Sequence, residues 1–282
     1  MASTEIELGA EHLAGCLALS KAAQWNQNEA DWRLMLGFGR GWGIAPDDGT
    51  KAGVLAASTL VLPYNGFAWV AMVLVLPEHR KKGFATRLLR TSISFLKKSN
   101  KTPILDATPA GREVYRKEGF EDTWGFKRFC LAKATPMKGK GSRPIVASDW
   151  PRILELDRRA FGGDRGKVLR DLARRLPQAA HVAESGGELT GFVLGREGRE
   201  ARQIGPLVAR DAEAAKGLLA AALARIEPPV YVDMVDRDPV TSAWLESLGF
   251  AFQRPFTRMV HGADRAPGED ALVFCPAGPE LG

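Results

Sequence analysis

Five residues of this chain recur at one fixed spacing. Gly119, Phe120, Phe126 and Arg128, in "EGFEDTWGFKRF", return 130 residues later as Gly249, Phe250, Phe256 and Arg258, in "LGFAFQRPFTRM". Asp106 finds Asp236 at the same offset. An ungapped offset shared by five identities indicates an internal duplication, so both halves must satisfy one fold. The stretch "KATPMKGKGSRP" between them is rich in Gly, Pro and Lys, with Met137 as its only large apolar residue. It reads as a linker. The expected division is a first domain over residues 1–133, a linker over 134–144 and a second domain over 145–282.

In the first half the periodicities predict helices over residues 11–23 and 29–37, then strands near 53–61 and 67–76. A basic loop, a helix reaching Lys98, a strand at 103–107, a short helix and a final strand follow. Alternating strands and helices indicate a layered α/β (α+β) domain. In the second half Ser148 or Asp149 is placed to cap a helix with Pro151 in its first turn, and "GELTGFVLG" answers "TKAGVLAAS".

The most informative stretch is "MVLVLPEHRKKGFATRLL", from Met72 to Leu89. The run Trp69 to Val75 is nearly continuous in apolar residues, as in a strand buried on both faces. Pro77 closes it. After Gly83, apolar residues at Ala85, Leu88, Leu89, Ile93 and Leu96 trace one helical face. Gly83 therefore sits at a helix N-terminus, where unpaired backbone N–H groups carry partial positive charge. With Arg80, Lys81 and Lys82 beside them, the pattern has two readings: a cradle suited to a pyrophosphate, or an ordinary basic loop before a surface helix. Neither the nucleotide P-loop nor the dinucleotide fingerprint fits, since the Gly-Lys-Ser/Thr of one and the leading glycine of the other are missing.

Charge placement agrees with an anionic ligand. The net charge is +6, and the basic excess lies in the first half. Interleaved aromatic and basic residues are missing, so no nucleic-acid partner is expected. Apolar residues make up 45% and charged residues 26%, a soluble globular profile. No apolar run reaches membrane-spanning length, and no membrane partner is expected. "LAGC" ending at Cys16 mimics a lipoprotein box, but Glu5, Glu7 and Glu11 stand where a signal peptide needs a basic start and an apolar run. The three cysteines and four histidines show no ligand spacing, so no metal is expected and a cytoplasmic location is.

The strand, the Arg-x-x-Gly-x-Ala loop and its helix, followed about thirty residues on by "VYRKEGF", resemble the GNAT superfamily of N-acetyltransferases. The resemblance covers residues 5–133 well, and the second half resembles the degenerate partner domain of tandem members. It implies two tandem GNAT-like domains, each a mixed, mostly antiparallel twisted sheet flanked by helices. It also implies acetyl-CoA as cosubstrate, with Arg80, Lys81, Lys82, Gly83, Phe84, Ala85 and Thr86 at the pyrophosphate and Val73, Leu74 and Val75 along the pantetheine arm. Tyr115 falls where such enzymes place a tyrosine beside the CoA sulfur, and a phenol stays protonated and able to donate at neutral pH.

The expected reaction is direct acetyl transfer to the primary amine of a small molecule. The alternative is an acyl-CoA-binding sensor without turnover. Asp106 has two open readings, a base for the amine or a cap for the turn after it. Trp25, Asn26 and Trp69 are candidates to face the acceptor. In the second half the loop is shortened, and Glu213 is expected to put a carboxylate where phosphate would lie, excluding CoA.

Overall fold

A computed structural model describes residues 3–46, 53–133 and 141–282. The first half contributes β1 (Ser3–Glu7), α1 (Leu13–Ala22), α2 (Glu29–Leu36), β2 (Arg40–Pro46), β3 (Ala57–Pro63) and β4 (Phe67–Val75). It continues with α3 (Phe84–Lys98), β5 (Thr102–Ala107), α4 (Pro109–Lys117) and β6 (Phe120–Leu131). The second half contributes β7 (Ser142–Pro144), α5 (Trp150–Phe161), α6 (Gly166–Arg175), β8 (His181–Ser185), β9 (Glu188–Arg196) and β10 (Arg202–Ala209). It ends with α7 (Ala212–Leu223), β11 (Val230–Val235), α8 (Pro239–Ser247), β12 (Ala251–His261) and β13 (Val273–Cys275).

The elements anticipated from periodicity are present, their ends shifted by a few residues. Two strands of the first half were not anticipated. β1 is a short charged edge and β2 is interrupted by glycines, so neither carries the apolar alternation that marks a strand. Most of the expected linker, residues 134–140, lies outside the described residues; its last part forms the edge strand β7 against β8.

The described strands form one sheet in the order β1-β2-β3-β4-β5-β12-β6-β11-β10-β9-β8-β7, with β13 attached to β10. Pairing is antiparallel except between β4 and β5 and between β10 and β11. The centre shows an exchange. β12 of the second half inserts beside β5 of the first, and β6 of the first half lies beside β11 of the second. β6 and β12 pair with each other along their length, and Phe126 stacks on Phe256 with ring centroids 5.0 Å apart. Each half thus completes the other's sheet.

The exchange places two equivalent ion pairs on equivalent rungs. Arg258 on β12 lies opposite Asp106 on β5, and Arg128 on β6 lies opposite Asp233 on β11. Both are bidentate, with N–O distances of 2.9 and 2.9 Å in the first and 2.7 and 2.7 Å in the second. The counterpart of Asp106 is therefore Asp233. Asp236, which shares the 130-residue offset, lies past the end of β11 and faces Lys127 at 3.7 Å.

Helices cover both faces of the sheet. On one, α3 and Tyr115 of α4 pack over β3, β4 and β5 around Leu89, Ile93 and Leu96. On the other, α1, α2, α5 and α6 enclose a larger core that includes Trp32, Trp69, Phe161 and Phe192. Among the described residues no helix is long and apolar enough to cross a membrane.

Candidate active site

The site begins with a fault in β4. Rungs to β3 run from Ala57–Val75 and Ser58–Leu74 directly to Leu60–Ala71, so β4 holds an extra residue. Met72 takes it up with φ of +52°, a left-handed conformation unusual for a long side chain. Its carbonyl, turned from the ladder, accepts from Ser58 Oγ at 2.8 Å. Parallel pairing with β5 covers only Phe67–Thr102, Ala68–Pro103 and Trp69–Ile104. Beyond the third rung, residues 70–75 have no partner on the β5 side, and a cavity of about 410 Å³ occupies the gap. Val73, Leu74 and Val75 line it.

The loop after β4 delivers the start of α3 to the same cavity. Lys81 and Gly83 both have positive φ, +62° and +79°, which turns the chain sharply into the helix. Gly83 is the N-cap and offers no side-chain acceptor, so the first amides of α3 have no internal partner. Nothing lies within 4 Å of where a Gly83 Cβ would be, so the helix end is open to a ligand. Arg80 and Ala85 line the cavity. Lys81 and Lys82 are exposed beside it, and Lys82 Nζ lies 3.3 Å from His79 Nδ1. Phe84 faces inward onto the cluster of Ile44 and Leu88 and stacks with His79, so its side chain anchors the helix. Thr86 is half-buried and does not line the cavity.

Tyr115 lines the cavity from α4. Its ring folds back over Gly111, one turn earlier; a Cβ there would lie 2.9 Å from the ring, so only glycine permits this pose. Among the described residues its hydroxyl has no hydrogen-bond partner, and burial pushes the phenol pKa up, keeping it protonated. Thr108, not Asp106, caps α4, its Oγ1 accepting from Gly111 N at 3.3 Å. Asp106 touches the cavity but is fully buried, and Arg258 takes both its oxygens. Burial raises its pKa and the guanidinium opposes that rise. Both oxygens are engaged by Arg258 at the strand exchange, which speaks for a structural place there.

The remaining wall comes from elements far apart in sequence. Trp25 and Asn26 lie on it, in the turn between α1 and α2. Asn26 is 1% exposed and its amide is spent on the second half: Nδ2 donates to Ala201 O, and Oδ1 accepts from the amides of Glu200 and Ala201. Trp69 differs from expectation. It is buried away from the cavity, its Nε1 donating to Pro279 O at 2.9 Å and Arg258 stacked 4.5 Å from its ring. Alternation along β4 turns it into the core.

The second half supplies Tyr231, Gln253, Arg254, Phe256, Pro279 and Glu280 to the cavity. Of these only Phe256 stood out in the sequence, and as part of the repeat rather than of a site, because the signal lies in which strand pairs with which. Arg254 has no hydrogen-bond or ion-pair partner among the described residues; burial and the neighbouring Arg128 lower its pKa. The second half's own counterpart of the basic loop is only residues 210–211, where Asp211 caps α7 by accepting from Ala214 N at 2.8 Å. Glu213, expected to block a phosphate there, instead points to solvent, 3.9 Å from Lys216. Asp211 fills that place. Among the described residues no His, Cys, Asp and Glu side chains gather as a metal site.

Comparisons with known proteins follow the same division. The acetyltransferase (GNAT) family model matches residues 11–120, and an acetyltransferase (GNAT) domain model matches residues 153–275. The uncharacterized N-acetyltransferase YitH of Bacillus subtilis is 24% identical over 250 residues, covering 87% of this chain and 86% of the relative. A crystal structure of a putative acetyltransferase from Pyrococcus horikoshii superposes with a TM-score of 0.80 at 19% identity, over 99% of this chain and 96% of the other. A tandem GNAT protein from the clavulanic acid biosynthesis pathway superposes at 0.64 with 14% identity, over 94% and 100%. These structures share the fold.

Proposed function

The chain belongs to the GNAT superfamily of acetyltransferases as two such domains in tandem, and from that premise we propose that it moves the acetyl group of acetyl-CoA directly to the primary amine of a small molecule, with Tyr115 as general acid. The observation that carries this reading is one cavity joining Arg80 and Ala85 at the start of α3, the unpaired edge of β4 and Tyr115. The pyrophosphate would rest on the free amides of α3 with Arg80 as counter-charge. The pantetheine arm would add to β4 along Val73, Leu74 and Val75 in the place a neighbouring strand would take.

Direct transfer needs three things: a neutral amine, a polarised thioester carbonyl and a proton for the departing sulfur. The free N–H groups of bulged β4 suit the carbonyl oxygen, because backbone donors there are fixed before the reaction begins. Tyr115 suits the sulfur, since its hydroxyl is unpaired and held protonated. Under this reading residues 1–133 hold the CoA site, and the domain at 145–282 walls the acceptor side without binding CoA. The free cysteines among the described residues, Cys16, Cys130 and Cys275, suit a reducing cytoplasm.

Titration calorimetry with acetyl-CoA and thiol release over a panel of amines test the reading together. The wild-type chain is expected to bind acetyl-CoA and release thiol with at least one amine. Tyr115→Phe should lower turnover about 10²- to 10⁴-fold, the usual range for a general acid, with acetyl-CoA affinity unchanged. Binding without turnover in the wild-type protein would instead mark it as a sensor.

A further inference from the structure

One buried carboxylate at the cavity has hydrogen-bonding capacity to spare. Glu280 is 2% exposed and lines the cavity. Its Oε1 accepts from Arg196 Nη2, while its Oε2 is buried and has no partner among the described residues. A buried anion with an unfilled acceptor is costly, and the cost is justified where a ligand supplies the missing donor.

The other buried carboxylates around the cavity are fully used. Asp106 on β5 gives both oxygens to Arg258, and Asp233 on β11 gives both to Arg128, with Gln203 as a third donor. Asp31 on α2 divides its oxygens between Arg175 and Arg196. Arg196 on β9 is shared in turn by Asp31, Gln203 and Glu280. The remaining titratable groups near Glu280 are the buried Tyr64 hydroxyl, which donates to Leu281 O, the buried Arg165, which donates to Gly282 O and pairs with Asp157, and the unpaired Arg254 across the cavity. Among the described residues that line the cavity, only Glu280 has a carboxylate oxygen without a hydrogen-bond partner.

The segment carrying it is pinned on both sides. Trp69 Nε1 donates to Pro279 O at 2.9 Å and Tyr64 donates to Leu281 O at 3.0 Å, both from the first half. Those two aromatics belong to the core on one face of the sheet, whereas Tyr115 packs into the core on the other. Glu280 therefore reaches the gap between β4 and β5 from the face opposite the phenol. An amine entering on one face and a thiolate leaving on the other need their proton acceptor and donor so divided.

We propose that Glu280 binds the acceptor's ammonium through Oε2 and takes its proton, so that the second half supplies the base for a reaction housed in the first. This rests on the transfer reading above. The ammonium gives one proton to Glu280, and the neutral amine forms a C–N bond to the acetyl carbon. The C–S bond breaks, and the thiolate takes the Tyr115 proton. The second nitrogen proton restores the tyrosine, and the proton on Glu280 passes to solvent.

The test uses the full chain, acetyl-CoA and two kinds of acceptor: alkylamines such as ethanolamine, phenethylamine and L-lysine, which are protonated near neutral pH, and hydroxylamine, which is not. Glu280→Gln keeps an oxygen for Arg196 and removes the base. With the alkylamine that works best in the wild type, thiol release near neutral pH should fall about 10²-fold or more, with the pH optimum moved toward alkaline values. With hydroxylamine the fall should be less than about tenfold, and acetyl-CoA affinity should not change. Equal losses with both kinds of acceptor, or no loss, would overturn the assignment and leave the transfer reading intact. A wild-type chain that binds acetyl-CoA and releases no thiol even to hydroxylamine would overturn both. If circular dichroism shows Glu280→Gln misfolded, Glu280→Asp replaces it. That variant should lose turnover selectively with alkylamines while keeping the wild-type pH optimum, and an unselective loss would overturn the assignment.

Discussion

The two parallel strand pairs, β4–β5 in the first half and β10–β11 in the second, start alike and end differently. Each holds three rungs, closing at Trp69–Ile104 and Ile204–Val232. Past that point β4 runs free beside a cavity. β10 is instead taken up by β13, which pairs through Leu207–Cys275 and Val208–Val273 and buries Phe274 and Cys275. The connections diverge too: residues 76–83 lead to an open glycine cap on α3, and residues 210–211 lead to Asp211, which fills the end of α7 itself. One duplicated frame thus carries an open site and a closed one. The chain that closes the second gap runs on through residues 276–282 to present Glu280 at the first. Closing one gap and lining the other fall to the same segment.

If the halves are equivalent at their exchanged strands, the two buried ion pairs should matter equally. Removing one partner of such a pair leaves an uncompensated buried charge, which costs about 3–5 kcal/mol. Arg128→Ala and Arg258→Ala should each lower the urea-denaturation stability by about that amount. Both also stack on aromatic rings, Arg128 at 5.1 Å over Tyr231 and Phe256 and Arg258 at 4.5 Å over Trp69 and 4.2 Å over Trp124; the nearer indoles should make the loss of Arg258 slightly the larger. A small effect at one position and a large one at the other would break the equivalence.

That symmetry was only partly legible in the sequence. Gly119 and Gly249 recur because both turns need positive φ, +87° and +90°, and Phe126 and Phe256 recur because they stack on each other. Asp236 shared the offset by coincidence; β11 is displaced by three residues relative to that offset, and Asp233 holds the equivalent place. The exchange itself left no mark, since β6 and β12 are alike enough that either sequence suits either neighbour, and register patterns do not name a partner. The cradle and Tyr115 were readable because they lie on consecutive local elements. Glu280 was not: "PAGPELG" carries the composition of a loop, and its meaning depends on a pairing 84 residues away with Arg196.

The contrast between helix ends can be tested by transplanting it. Gly83→Asp puts a carboxylate at the end of α3, as Asp211 does at the end of α7, at a left-handed position that Asp tolerates. A carboxylate against a pyrophosphate costs several kcal/mol, so acetyl-CoA affinity by calorimetry should fall about 100-fold or more. Unchanged affinity would detach the cradle from the open cap. A smaller change tests the fit of the phenol. Gly111→Ala places a methyl 2.9 Å from the Tyr115 ring, and the displaced hydroxyl should cost about tenfold in thiol release, by the sensitivity of transfer to misplacement, with affinity for acetyl-CoA kept.

The smallest expected effect concerns how firmly the two equivalent helices, α4 and α8, are held. Asp122 on β6 receives Arg112 and Arg116 of α4, and these hydrogen bonds, Arg112 first, hold its carboxyl down to about 2. The position 130 residues later is Phe252, which is 53% exposed, and among the described residues no ion pair ties α8 to β12. A carboxyl whose folded pKa lies below its unfolded value stabilises above that unfolded value, and the contribution fades as pH falls through the folded one. Asp122→Asn should therefore lower stability by less than about 1 kcal/mol at neutral pH, a modest figure because water reaches and screens the pair. In thermal melts over a pH series the gap from wild type should shrink from about pH 4 downward and vanish below about pH 2. A gap independent of pH would mean that Asp122 acts by packing, and α4 would then be held no differently from α8. A gap that closes on schedule ties the tether to the helix that carries Tyr115 into the cavity.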